Sequence, residues 1–205
     1  QRQMCIRDRL CALRKVAYHM KHSSFLNAKS ITLVALFAAL SALGAFIRVP
    51  MGLISFTLQT FFVTLAGLLL GPRLGALSVG IYVLIGLLGV PVFTQGGGPA
   101  YVLQPTFGYL LGFVLCAWLV GKLTQGEKCS FAALFAASCA GLAVVYALGM
   151  LYFALITTVY LGAPRPAQTI LIYCCLIFLP GDLLSCALAC LIRKKLPRSV
   201  CSVPR

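Results

Sequence analysis

Six long apolar stretches, each cut off by proline, glycine or charge, dominate the sequence: roughly 31–47, 53–70, 74–93, 106–121, 131–161 and 168–192. A helix needs about 20 apolar residues to cross a bilayer, and in lipid it must satisfy its own backbone hydrogen bonds. Stretches of this length predict spanning helices, and a chain of 205 residues then has no room for a sizeable water-soluble domain. Apolar residues make up 61% of the chain and charged residues 10%, which excludes a cytosolic globule, a disordered tail or a disulfide-stapled secreted module. The expected fold class is an all-α integral membrane protein, a bundle of six transmembrane helices. The first stretch is long and leads directly into further spans, which argues against a cleaved signal peptide.

Seventeen Lys and Arg stand against three Asp and Glu. Such an excess would suit nucleic acid or anionic lipid, and placement decides between them. Six spans put both termini on one side, and with them fifteen of the seventeen cations: seven before the first stretch, then Arg73, Lys122 and Lys128, then five after the last. Only Arg48 and Arg165 fall on the other face. The positive-inside rule makes the termini cytoplasmic and the uncharged loop 91–104 external, in a multi-pass membrane protein with no nucleic-acid groove. The expected organisation is a basic cytoplasmic tail 1–28, a membrane domain 29–196 and a basic cytoplasmic tail 197–205. Residues 4–9, Met-Cys-Ile-Arg-Asp-Arg, read like a translated library-adapter fragment, so residues 1–9 are assigned no function.

The ten cysteines form no CxxC and have no histidine beside them. They read as small apolar packing residues, and a metal site is not expected. His19 and His22 sit in the basic tail.

Of the three acids, Asp8 lies in the N-terminal tail and Glu127 in a loop between Lys122 and Lys128; Asp182 alone is intramembrane. Eleven residues back from Arg193, at 1.5 Å each, it lies roughly 16 Å deep, near the midplane. An ionisable group there costs on the order of 3 kcal/mol or more, so it faces a polar partner or a cavity and marks a functional site by default. A structural carboxylate bonded to a neighbouring helix is the plainer alternative. Pro180-Gly181 immediately before it predicts that the last stretch is two pieces, with free N–H groups and irregular backbone beside Asp182. Ser185 adds a hydroxyl one turn later.

Three further features draw attention. Thr57, Gln59 and Thr60 cluster at the start of the second span, where Gln59 can both donate and accept. Phe93-Thr94-Gln95-Gly96-Gly97-Gly98-Pro99, followed by Thr106 and Tyr109, forms an external stretch whose glycines permit close backbone approach to a ligand or a mobile lid. Ala35, Ala38, Ala39 and Ala42 place small residues at helix-contact spacing on the first span, equally suited to packing within the bundle and to docking a partner. No GxxxxGK[ST] occurs, so ATP is not bound by this chain, and no catalytic triad, carboxylate pair or HExxH suggests an enzyme.

Taken in order, Arg48-Val-Pro-Met-Gly, Thr57-Leu-Gln-Thr, Ala66-Gly-Leu-Leu-Leu-Gly-Pro-Arg-Leu-Gly-Ala-Leu-Ser78, Gly89-Val-Pro-Val-Phe93, Pro105-Thr-Phe-Gly-Tyr-Leu-Leu-Gly-Phe113 and Phe178-Leu-Pro-Gly-Asp-Leu-Leu184 resemble the BioY family. These are the biotin-specific substrate-binding (S) subunits of energy-coupling-factor (ECF) transporters. The resemblance covers roughly residues 31–196. It implies a six-helix bundle that captures biotin from outside, then joins a transmembrane coupling (T) subunit and cytoplasmic ABC ATPases, with no cofactor of its own. It further implies that Ala35, Ala39 and Ala42 dock the coupling subunit and that Asp182 belongs to the ligand site. Gln59, Gly96, Gly97, Gly98, Thr106 and Tyr109 are carried over with it. Tyr146 and Phe93 are added for a tip hydroxyl and an apolar wall, and Phe107 for a further wall.

The chemistry is compatible: the ureido ring of biotin offers two N–H donors and a carbonyl, which Asp182 and Gln59 can serve. The chain departs from the family pattern at Ser185, where Lys is usual, and at Phe107, where Gly is usual. A proton-coupled secondary carrier titrating Asp182 remains the alternative of another class.

Overall fold

The computed structural model describes residues 28–51, 54–125, 130–162 and 166–196. Residues 1–27 and 197–205, which carry eight of the seventeen cations, together with Glu127, Lys128 and Arg165, lie outside the described residues. Among the described residues, four helices are long and apolar enough to cross a membrane: Ala28–Phe46, Gln59–Leu87, Phe131–Tyr160 and Ala167–Lys195, and Phe107–Leu123 is a shorter apolar helix.

Helix α1 (Ala28–Phe46) turns Val34, Phe37, Ala38, Ser41, Gly44 and Ala45 inward. The four alanines expected on one face separate here: Ala35 and Ala39 are exposed, Ala42 is half-buried, and Ala38 is buried inside the bundle. At i, i+3, i+4 and i+7 the four share an arc of about 100°, but the inward face is centred to one side of it, on Val34, Phe37 and Ser41, and takes in only Ala38.

The second apolar stretch does not open as a helix. Strands β1 (Arg48–Met51) and β2 (Ile54–Thr57) pair antiparallel, with Arg48 opposite Thr57. Pro50 and the β-branched and aromatic residues Ile54, Phe56 and Thr57 favour extended backbone over helix. The Leu58 N–H donates to the Ile47 carbonyl at 3.1 Å and closes the hairpin, after which α2 begins at Gln59.

Helix α2 (Gln59–Leu87) contains a reversal at Gly71, where φ is 79° and ψ −175°, followed by Pro72. Only glycine adopts that φ without strain, and Pro72 then starts the second arm at a position where a missing N–H costs nothing. In a straight helix Gly67 and Gly75 would be about 12 Å apart. Instead, a Cβ on Gly75 would lie 3.1 Å from the Gly67 Cα, so the two arms fold against each other. The reversal leaves the Leu68 carbonyl without its usual donor, because Pro72 has no N–H. Arg193 supplies one through Nε at 3.0 Å. A Cβ on Gly121 would come within 2.5 Å of the Gly71 carbonyl carbon, so α3 (Phe107–Leu123) packs its last turn directly on the reversal.

Helix α4 (Phe131–Leu155) starts under a Ser130 cap, whose hydroxyl accepts from the Ala133 N–H at 3.2 Å, and runs into a π-helical turn at Ile156–Tyr160. Its Gly141 and Val145 meet α3 at Cys116 and Gly112. The last stretch is α5 (Ala167–Leu171), a π turn (Ile172–Leu176) and α6 (Leu179–Lys195).

The break expected before Asp182 is milder than the proline suggested. The path stays helical, and the Asp182 N–H is spent on the Phe178 carbonyl at 3.0 Å. Pro180 lies in the first turn of α6, where its ring is tolerated, and the wide π turn upstream absorbs the change in register. Six cysteines are described as free thiols. Cys116, Cys174, Cys186 and Cys190 are fully buried between helices, as packing residues should be. Cys190 sits 3.5 Å from the Ser138 hydroxyl.

The Arg193 clamp makes a prediction. Arg193→Ala leaves a buried carbonyl unmet, at a cost of about 1–2 kcal/mol. We expect a clearly lower melting temperature in detergent for Arg193→Ala, while Lys194→Ala, next to it on the same flank, leaves melting unchanged. Equal melting of the two variants would remove the clamp.

Candidate ligand-binding site

One hollow, of about 710 Å³ counting its open mouth, lies where the β-hairpin, the 88–106 loop and the adjoining ends of α2, α3, α4 and α6 meet. Its walls carry Gln59, Thr60 and Tyr82 from the two arms of α2, Thr106 and Tyr109 at the start of α3, Tyr146 from α4 and Asp182 from α6. Leu110, Phe113, Val145 and Phe178 make the apolar part, and Thr57, Thr94, Gln95 and Tyr101 complete the lining. A few convergent polar groups set in an aromatic cavity are the usual composition of a small-molecule site.

Asp182 is 6% exposed and has no Lys, Arg or His among its fellow lining residues. One carboxylate oxygen, Oδ2, accepts from the Tyr146 hydroxyl at 2.5 Å. The other, Oδ1, makes no hydrogen bond among the described residues, and neither does Nε2 of Gln59, which is 2% exposed, although the Thr60 hydroxyl stands near Asp182 and the Tyr82 hydroxyl near Gln59. A buried acceptor and a buried donor, each unmet, therefore line one cavity. Left so, each costs about 1–3 kcal/mol, and more where charge is involved.

The tyrosines are held from behind. Tyr109 donates to the Cys174 carbonyl at 2.9 Å, and its ring lies against Gly149, where a Cβ would overlap it. Tyr101 has its hydroxyl 3.1 Å from that of Thr94 and 3.4 Å from that of Thr106. Tyr82 donates to the Val92 carbonyl at 3.3 Å, which ties the second arm of α2 to the loop. The Arg48 guanidinium donates to the Thr94 carbonyl and so joins the hairpin to the loop at the mouth.

Of the residues expected at a site, the structure brings Asp182, Gln59, Thr106, Tyr109 and Tyr146 to this hollow. Phe93, Gly96, Gly97, Gly98 and Ser185 are not among its lining residues. Phe93 stands one layer back, 2% exposed, with its ring centroid 4.5 Å from that of Tyr101 and 5.5 Å from that of Tyr82. It braces two rings that do line the hollow. The glycines approach backbone rather than the cavity. Gly96 and Gly98 both have φ 112°, Gly98 N–H donates to the Gly86 carbonyl at 2.7 Å, and a Cβ on Gly97 would run into the Val90 carbonyl. The triple glycine folds the loop onto the end of α2. Ser185 is buried one turn below Asp182, and Phe107 packs on Tyr152 with ring centroids 5.8 Å apart.

Sequence reasoning missed Tyr82, Tyr101, Phe113 and Phe178 as lining residues. The available signal was a tyrosine hydroxyl inside an apolar stretch, as at Tyr82, which has to find a partner at depth.

The sequence profile of the BioY family matches residues 19–202. The chain belongs to the BioY family. Among its relatives, "Probable biotin transporter BioY" of Lysinibacillus sphaericus is 49% identical over 134 residues, 65% of this chain and 68% of that one. "Biotin transporter BioY" of Thermotoga maritima is 48% identical over 116 residues, 56% of this chain and 68% of that one. "Biotin transporter BioY" of Rhizobium etli is 31% identical over 184 residues, 82% of this chain and 92% of that one. A crystal structure of the S-component for biotin from an ECF-type ABC transporter superposes with a TM-score of 0.73 at 28% identity, covering 82% of this chain and 90% of that chain. BioY relatives are transporters by name, not enzymes, and the apolar helices make this member a membrane protein.

The glycine loop of this BioY member yields a paired prediction. Gly97→Ala forces a methyl group into the Val90 carbonyl and is expected to cost about 1–3 kcal/mol and to raise amide exchange over residues 93–98. Gly80→Ala, in α2 with open space around its Cβ, is expected to be neutral or mildly stabilising. Thermal unfolding of both variants checks this, and a stable Gly97→Ala would show that the loop can close without glycine there.

Proposed function

We propose that this chain captures biotin from outside the cell as the S-subunit of an ECF-type importer in a prokaryotic cell membrane. The observation that carries the reading is the unmet pair, Oδ1 of Asp182 and Nε2 of Gln59, in one hollow of a BioY-family chain. A ureido ring is complementary to it: an N–H meets the carboxylate oxygen, and the carbonyl accepts from the Gln59 amide. The fused ring lies among Tyr82, Tyr109, Tyr146, Phe113 and Val145, with Thr106 at its edge. The carboxylate tail runs toward the mouth at Thr57, Thr94 and Gln95. Phe93, Gly96, Gly97, Gly98 and Ser185 serve from behind, as supports of the wall.

In the proposed topology the chain crosses six times, by α1, the two arms of α2, α3, α4 and the α5–α6 path, with both termini cytoplasmic. Arg73, Lys122 and Arg193 support it, since they gather at the end of the bundle where α2 reverses, while Arg48 sits at the opposite end. The arms of α2 are about 18 and 24 Å long, shorter than a 30 Å hydrocarbon core, and the bilayer thins or the neighbours shield their ends. The exposed face of α1 that carries Ala35 and Ala39, with Ala42 at its edge, is the proposed contact for the coupling subunit, because small residues let helices approach closely. ATP is hydrolysed by the partner ATPases, and the chain itself needs no cofactor.

Calorimetric titration of the detergent-purified chain with biotin tests the reading. We expect binding by the wild type and a loss of about 100-fold or more for Asp182→Ala with melting retained, since a charge-assisted hydrogen bond of up to about 3 kcal/mol is removed. Wild-type affinity in a folded Asp182→Ala variant would take Asp182 out of the site.

A further inference from the structure

Among the described residues Asp182 is the sole charged side chain lining the hollow, and only one of its oxygens makes no hydrogen bond. A buried carboxylate without a cation would ordinarily be an invitation to a cationic ligand, above all a guanidinium, which grips both oxygens of a carboxylate through a fork of parallel N–H bonds. Tyr146 stands in the way of that fork. Its hydroxyl, on a side chain 6% exposed, donates to Oδ2 at 2.5 Å and holds that oxygen inside the wall. Tyr146 is itself fixed by its place on α4, where it packs with Leu142, Phe178 and Cys186. The other unmet group, Nε2 of Gln59, is a donor and needs an acceptor, which a protonated guanidine lacks.

Resting on the biotin reading above, we propose that Tyr146 is a specificity-determining residue. By taking one oxygen of Asp182 it leaves a single acceptor opposite a single donor, so that the site selects a neutral cyclic urea and rejects a guanidinium of the same shape. The selection is made by hydrogen-bond count, not by net charge, since net charge alone would favour the guanidinium. Tyr146 does this through Asp182 and needs no contact of its own with the ligand head. Phenylalanine at this position keeps the ring and its packing but frees Oδ2, and so restores the two-oxygen fork.

The test uses the full purified chain in detergent and two ligands that differ at one atom: biotin, and 2-iminobiotin, in which a protonated imino nitrogen replaces the ureido oxygen at neutral pH. We expect the wild type to bind biotin at least tenfold more tightly than 2-iminobiotin. In Tyr146→Phe, biotin weakens, and the ratio of the two dissociation constants moves toward 2-iminobiotin by about tenfold. A purely structural role for Tyr146 would weaken both ligands by the same factor and leave the ratio unchanged, and that result overturns the proposal. A wild type that prefers 2-iminobiotin, or binds both equally, overturns it without any variant, and it decides the matter should Tyr146→Phe fail to fold. A wild type that binds no biotin is a different outcome, because it removes the reading under Proposed function and this inference falls with it.

Discussion

An unmet carboxylate oxygen and an unmet amide N–H inside an apolar bundle are the constraint around which this structure is arranged. A polar group buried inside an apolar bundle is costly unless it is bonded, so each such group must be satisfied by the protein or by something that enters through the mouth. The fold satisfies its other polar groups with care: Ser41 bonds back to the Phe37 carbonyl at 2.8 Å, Thr157 to Phe153 at 2.7 Å, and Tyr109 to Cys174 at 2.9 Å. Against that background Asp182 Oδ1 and Gln59 Nε2 stand out, since both lie in the wall of one hollow.

The architecture serves that pair through backbone devices far from it. The Gly71–Pro72 reversal folds the second and third apolar stretches back on each other as two arms, so that Gln59 at the start of the first and Tyr82 in the second reach the same cavity. The carbonyl left bare by the reversal is met by Arg193, on the same helix that carries Asp182 at its other end. The two halves of the site are thus joined at the opposite end of the bundle. At the mouth the glycine loop folds flat against the end of α2, and Phe93 braces Tyr82 and Tyr101 from beneath it.

Much of this was legible in the residues, and the rest was hidden for physical reasons. The apolar stretches announced helices because lipid leaves the backbone no other local solution. Asp182 announced itself because an acid at depth is costly. Strand β2 of the hairpin was absorbed into the second apolar stretch, because Ile54, Phe56 and Thr57 look alike to a hydropathy reading whether helical or extended. The proline before Asp182 suggested a sharper break than exists, because the π turn that accommodates it has no signature in single residues. The alanine positions 35, 38, 39 and 42 could not be sorted by spacing alone, as the side a helix buries is set by its neighbours. The glycine loop pointed to close approach, but only coordinates reveal that the approach is to Val90 and Gly86 rather than to the cavity. Tyr82 and Tyr101 were missed because a tyrosine joins a site through the fold and not through its sequence neighbours.

The central claim is that the unmet pair is completed by the head of the ligand. A structure of the chain with biotin bound tests it most directly. The account predicts a ureido nitrogen within about 3 Å of Asp182 Oδ1 and the ureido oxygen within about 3 Å of Gln59 Nε2, with Tyr146 still on Oδ2. Biotin seated with its carboxylate tail at Asp182, or outside this hollow altogether, would contradict it.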